Sequence, residues 1–296
     1  MPSLIQKYDM NESKGFKTSQ TADVWRRLKR NRAAIVGGII VLLFVFIAIL
    51  APLISPYPPN EGDLAKRLKP PSREHLLGTD PLGRDLLSRV IYGARISLQI
   101  QVIAVMIALM IGTLLGMVGG YYGGKLDHLI MRLMDILLAF PGIFLAISII
   151  AVLGPGLTNL MLAAGIYSIP QFARIVRGSV LSLKEKEFIE AARAVGENDF
   201  NILFRYLLPN SIAPIIIQTT LRMATVLLTA SGLSFLGLGV QPPTAEWGAM
   251  LSTARAYLIT APHVATVPGL AIMLVVMGFN LFGDGLRDSL DPRLRD

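Results

Sequence analysis

The chain has 296 residues, 53% of them hydrophobic and 16% charged, with a mean hydropathy of +0.56; that balance excludes a soluble globular domain and indicates an integral membrane protein. It holds no cysteine, which excludes disulfides, thiolate metal sites and a cysteine nucleophile. The formal net charge of +8 is scattered among apolar runs and forms no stripe with interleaved aromatics, so it argues for the lipid membrane and against nucleic acid as a partner.

Residues 1–32 form a polar amino tail ending in Trp25-Arg26-Arg27-Leu28-Lys29-Arg30-Asn31-Arg32, directly before the uncharged run 33–54. That run is long enough to cross about 30 Å of hydrocarbon, and it lacks the short apolar region and small-residue cleavage site of a signal peptide. It reads as a retained first span with its amino end in the cytoplasm. Residues 55–95 read as a long extracytoplasmic connection, opening with Pro56, Pro58 and Pro59. Within it Leu86, Leu87, Val90 and Ile91 recur at helical spacing with Arg84, Arg89 and Arg95 between them, which predicts a helix lying along the membrane surface. From there 96–285 reads as the membrane-embedded core. Its first span, 96–118, carries Gly112 and Gly116 as a small-residue face for close helix packing.

The short loop expected over 119–132 contains Gly119, Gly124 and Lys125, a partial match to GxxxxGK. Leu126 stands where a phosphate-binding loop needs Ser or Thr, and a span precedes it where a strand should be, so nucleotide binding in this chain is set aside. Asp135 is followed by 38 uncharged residues, 136–173, read as two spans turned at Gly154-Pro155-Gly156 and bent at Pro141-Gly142 and Pro170. After a charged interruption at 184–210, a fifth span is expected over 211–240. A second outer connection follows over 241–262, where Trp247 is expected at the membrane interface, then a sixth span over 264–283 and a polar tail over 286–296. His75, His128 and His263 are far apart, which fits interfacial or loop residues better than metal ligands.

Six spans put both termini on one side. That side carries 8 Lys and Arg in the amino tail, 2 in 119–132, 6 in 174–210 and 3 in the carboxyl tail, against 7 in 55–95 and 1 at Arg255. The excess marks the first side as cytoplasmic.

The interruption at 184–210, KEKEFIEAARAVGENDFNILFRYLLPN, reads as two short helices with a break. Phe188, Ile189, Ala192 and Val195 recur at helical spacing, Gly196 supplies the left-handed geometry that stops the first helix, and Asn198 or Asp199 can cap the second. Phe200, Leu203, Phe204 and Leu207 give the second its own apolar stripe. Spacing alone would also fit an ordinary surface loop.

Glu190-Ala191-Ala192, Gly196 and Leu208-Pro209 resemble the EAA loop by which permease subunits of ABC importers grip their ATPases. Together with Leu77-Gly78-Thr79-Asp80, Gly83-Arg84-Asp85, the run Gly232 to Gly239 and Glu246-Trp247-Gly248, the chain resembles the C-type permease of the dipeptide, oligopeptide and nickel branch of these importers. One departure is Tyr206, where the pattern usually has Ile. The resemblance implies an all-helical type I importer fold in a bacterial or archaeal cytoplasmic membrane and a non-catalytic role. Its implied partners are a B-type permease, two ATPases that bind the ATP and magnesium, and an extracytoplasmic solute-binding protein. The implied cargo is a di- or oligopeptide or, less often, a nickel complex. Glu190, Ala191, Ala192, Gly196, Leu208 and Pro209 are then the expected ATPase-coupling residues.

Arg222 lies about 16 Å along a helix starting near Ser211, close to mid-membrane, with Gln218 one turn earlier on the same face. A charge there faces either the translocation path or a structural partner such as Asp135, Asp284 or the second permease. An ion-coupled secondary transporter would need ionisable residues in several spans, and a membrane enzyme would need a cluster of acid, base, nucleophile or metal ligands. Apart from Arg222 the interior charges sit at span ends.

Overall fold

The computed structural model describes residues 25–290, so the parts of the expected tails at 1–24 and 291–296 lie outside the described residues. Ten helices organise them: α1 Arg32–Ile54, α2 Leu86–Tyr122, α3 Gly124–Ala139, α4 Gly142–Leu153, α5 Leu157–Leu183, α6 Glu187–Ala194, α7 over 199–210, α8 Ile212–Phe235, α9 Trp247–Ala254 and α10 His263–Leu290. No strand forms among the described residues, only isolated bridges pairing Gly62 with Arg84 and Thr79 with Asp85.

Among the described residues, fewer than the expected six spans qualify on length and composition. Four helices, α1, α2, α8 and α10, are long and apolar enough to cross a membrane, and α3 with α4 makes a fifth, bent by 93°. The bend falls at Phe140-Pro141, where Phe140 is extended (φ −93°, ψ 136°) because a residue before proline is held out of the helical region. Pro170, by contrast, is buried within α5 and leaves that helix unbroken. Helix α5 has 27 residues, yet Tyr167, Ser168, Gln171, Arg174 and Arg177 make it too polar to qualify as a span on composition.

Two further expectations are revised. The surface helix and the second span are one helix, α2, of 37 residues: Asp85 caps its start by accepting from the Ser88 amide, and no breaker separates Arg95 from Ile96. The loop expected over 119–132 is the end of α2, a turn at Gly123 (φ +65°) and the start of α3.

The α2–α5 seam sets the frame. A Cβ on Gly112 would meet Phe172 Cβ at 2.6 Å, and one on Gly116 would meet the Ala173 carbonyl at 2.4 Å, so backbone lies almost against backbone. In lipid, where apolar side chains gain nothing by leaving the tails, such van der Waals contact is what holds helices together. Gly37 of α1 meets the α10 backbone at Gly278 and Phe282 in the same way. Outside these seams the helices present exposed apolar side chains, among them Ile39, Leu43 and Phe46 of α1 and Met106 and Met110 of α2, as a lipid-facing surface requires.

Candidate coupling site

The 184–210 segment folds as the two short helices its pattern predicts. Glu187 and Glu190 lie in the first turn of α6 and Arg193 in its last, each matched to the helix dipole. Gly196 adopts φ +83°, and the amides of Gly196 and Glu197 donate to the carbonyls of Arg193 and Ala192 (both 3.0 Å), a C-terminal lock that glycine permits. Asn198 then caps α7 by accepting from the Asn201 amide (2.8 Å).

Helix α7 is regular only at its ends, with residues Ile202–Leu207 forming a π turn. Such one-turn widenings occur preferentially at functional positions. Pro209 has no amide hydrogen, and next to it the Asn210 side chain donates to the Tyr206 carbonyl (2.6 Å).

Each apolar stripe divides in two. Ile189, Ala192, Ile202, Leu203 and Leu207 are buried against Met117, Val176, Val180 and Ile215, which roots the knob on the ends of α2, α5 and α8. Phe188, Val195, Phe200 and Phe204 remain 40%, 79%, 66% and 38% exposed, and the rings of Phe200 and Phe204 lie 4.6 Å apart. Among the coupling candidates, Glu190, Ala191, Gly196 and Pro209 are exposed beside these side chains, Ala192 faces inward and Leu208 is half-buried. No atom lies within 4 Å of a Cβ built on Gly196, so the turn is open on its outer side. The Glu190 amide donates to the Lys186 carbonyl (3.3 Å), while its carboxylate has no hydrogen-bond or ion-pair partner among the described residues and is available for a charge contact.

Polar contacts tie the knob to the bundle. Tyr121 at the end of α2 donates from its hydroxyl to Asp199 (2.7 Å), and the Arg193 guanidinium stacks 5.4 Å from its ring centroid. Lys184 donates to the Gly120 carbonyl (3.2 Å), and Arg177 of α5 grips Asp127 of α3 through two bonds of 2.5 and 2.6 Å. The sequence gives no sign of Tyr121, because its partners stand 72 and 78 positions away.

The opposite end of α2 is closed by a cap of buried charge. Arg84 and Arg89, expected on a membrane surface, are buried, and Asp80 lies 2.6 Å from Arg84 Nε and 3.4 Å from Arg89 Nε. His75 Nδ1 contacts Asp85 at 2.9 Å, also buried. Trp247 is fully buried instead of interfacial: it fits against Gly93, where a Cβ would come within 2.7 Å, and its indole donates to the Val90 carbonyl (3.0 Å). Glu246 caps α9 by accepting from the amides of Gly248 and Ala249, and Ser97 donates to it. Burial pushes its carboxyl above the ordinary glutamate range, against these donors.

Arg222 lies near the middle of α8, half-buried, with Gln218 half-buried on the same face. Among the described residues it has no ion pair. Asp135, one structural partner considered for it, is taken by Arg174 at 2.6 Å.

Helices that bury glycine seams and expose apolar flanks, with a rooted two-helix knob between two of them, define a membrane-embedded permease component of the type I ABC importer fold. Solved structures agree on the fold. The methionine ABC transporter MetNI, in an inward-facing form, aligns over 70% of this chain and 98% of its own with a TM-score of 0.58 at 18% identity. An amino acid ABC transporter crystallised with histidines aligns over 67% and 92% with a TM-score of 0.52 at 15% identity. The model of binding-protein-dependent transport system inner membrane components matches residues 108–296, and that of the N-terminal transmembrane domain of oligopeptide transport permease C matches 19–71. Among curated relatives, the glutathione transport system permease GsiD of Shigella flexneri is 53% identical over 92% of this chain and 90% of its own. The dipeptide transport system permease DppC of Alkalihalophilus pseudofirmus is 51% identical over the same shares. The chain belongs to the family of binding-protein-dependent transport system inner membrane components. It is a multi-pass inner-membrane protein and a non-catalytic subunit, serving an importer that also has an ATPase and a solute-binding protein.

Proposed function

We propose that this chain is the C-type half of the translocation path of a peptide importer, paired with a B-type permease and driven by two ATPases, one of which docks on its 184–210 knob. The observation that carries this reading is the knob itself. It is rooted by one apolar face and leaves Phe188, Val195, Phe200 and Phe204 uncovered around an open glycine turn. A groove on an ATPase would bury those rings, Ala191 would allow close approach, Glu190 would supply a charge contact, and Leu208-Pro209 would stiffen the passage into α8.

With α5, which runs alongside α2, taken as a sixth crossing, both termini fall on the knob side, and the excess of Lys and Arg there supports a cytoplasmic knob, cytoplasmic termini and an outward-facing cap. Relatives named for glutathione and dipeptide transport support a short peptide as cargo over a nickel complex. In that setting Arg222 and Gln218 face the path, where the guanidinium meets a peptide carboxylate during passage.

The test is reconstitution of the four-subunit complex in vesicles with its binding protein. Peptide-loaded binding protein should raise ATP turnover and drive uptake, and Arg222→Gln should lower uptake without lowering complex yield. Uptake driven by a proton gradient with no ATPase present would overturn the reading. Unchanged uptake by Arg222→Gln, with reduced complex stability, would make that residue structural.

A further inference from the structure

We propose that Tyr121 is the joint through which movement of the knob reaches α2, and that α2 carries it to the buried charge cluster at its far end; this rests on the coupling role proposed for 184–210. The knob is continuous in sequence with α5 and α8 but not with α2, whose 37 residues make a rod of roughly 55 Å at about 1.5 Å per residue. Tyr121 sits in the last turn of that rod. Its hydroxyl holds Asp199 at the start of α7, and its ring carries Arg193 from the end of α6. Those two residues flank the Gly196 turn, so one side chain of α2 grips both helices of the knob beside the surface an ATPase would press.

The other end of the rod is gripped as firmly. Arg89 Nη1 donates to the carbonyls of Pro59 (2.8 Å) and Pro243 (3.3 Å), one from each of the two cap segments. The Trp247 indole and Ser97 add bonds between the start of α2 and the segment around α9. Between the two ends, Gly112, Gly116 and Gly120 let α2 pack closely along α5. A push on the knob therefore has a continuous, tightly packed route to the cap, and in that route Tyr121 holds both knob helices to the end of α2, beside the packing of Met117 and the Lys184 bond to Gly120.

The experiment uses the full complex in vesicles and reads peptide taken up per ATP hydrolysed. Tyr121→Ala should lower that ratio several-fold, and Tyr121→Phe, which keeps the ring for Arg193 and loses the bond to Asp199, should lower it less. Adding Asp199→Ala to Tyr121→Phe should cost nothing further, since both remove the same bond. Complex yield and melting temperature of Tyr121→Phe should stay at the wild-type level. An unchanged ratio in Tyr121→Ala, or a fall in total uptake that only follows lower complex yield, would leave Tyr121 a packing residue and overturn the proposal. If Tyr121→Ala does not assemble, the ratio in Tyr121→Phe decides alone. Failure of the coupling reading is seen separately: a cysteine placed by Phe200→Cys that cross-links to no ATPase in the wild-type background removes both.

Discussion

The two ends of α2 are built on opposite plans. At the knob, the bonds that shape the segment are local: Gly196 to Arg193, Asn201 to Asn198 and Asn210 to Tyr206 each span 3 or 4 positions. Its outer face keeps large apolar side chains uncovered. At the cap, bonds from Arg89, Ser97 and Trp247 join residues between 149 and 157 positions apart, and the charges of Asp80, Arg84 and Arg89 are turned inward on one another. A region shaped mainly by local bonds, tied to the bundle through Tyr121 and Lys184 and left with apolar surface open, suits the docking role proposed for it. A region whose polar groups satisfy one another across the whole sequence is made to hold still. The bundle therefore has an anchor at one end and, at the other, the element proposed to dock.

The sharpest way to break that contrast is at the anchor. Asp80→Ala strips the partner from two buried arginines, and removing one side of a buried ion pair costs about 3–5 kcal/mol. The melting temperature of the purified protein in detergent should fall steeply; a fall no larger than that of an exposed-site control such as Arg73→Ala would show that the cap is not an anchor.

At the docking end the effect should appear in coupling and not in folding. Gly196→Trp places a side chain at φ +83°, a strain of about 1–2 kcal/mol, but its Cβ points into open space. The knob should stay folded while uptake drops at least about tenfold, near 1.4 kcal/mol of lost coupling, with ATP hydrolysis continuing. Full uptake by this variant in reconstituted vesicles would count heavily against the docking role.

The smallest effect sharpens the anchor further. The carboxyl of Glu246 holds its proton more tightly folded than unfolded, because burial disfavours its charge. Its contribution is therefore fully present below the unfolded value and is lost as pH rises through the raised folded one. Melting temperature should decline with pH across that window in the wild-type protein and less in Glu246→Gln. Parallel curves for the two would assign the slope elsewhere.

The same contrast explains what could be read in advance. The knob was legible because helical spacing, a stopping glycine and a capping asparagine all act within a few residues, and the glycine face of α2 was legible because only close packing asks for it. The cap was not legible, since nothing near Arg84 and Arg89 announces Asp80 as a buried partner, and Trp247 reads as interfacial until Gly93 is seen beneath it. The division of each knob stripe was also hidden: spacing marks Ile189 and Phe188 alike, and only the ends of α2, α5 and α8 decide which is covered. Pro141 and Pro170 look equivalent in sequence, yet the first ends a helix and the second lies buried in an unbroken one.

Docking through the knob is tested most directly by its accessibility in the assembled transporter. The chain has no native cysteine, so Phe200→Cys gives one thiol. In intact membranes that thiol should resist an impermeant maleimide added from outside and should cross-link to an ATPase subunit in the assembled complex. Labelling from outside, or a thiol that reaches no ATPase in a complex that still transports peptide, would contradict it.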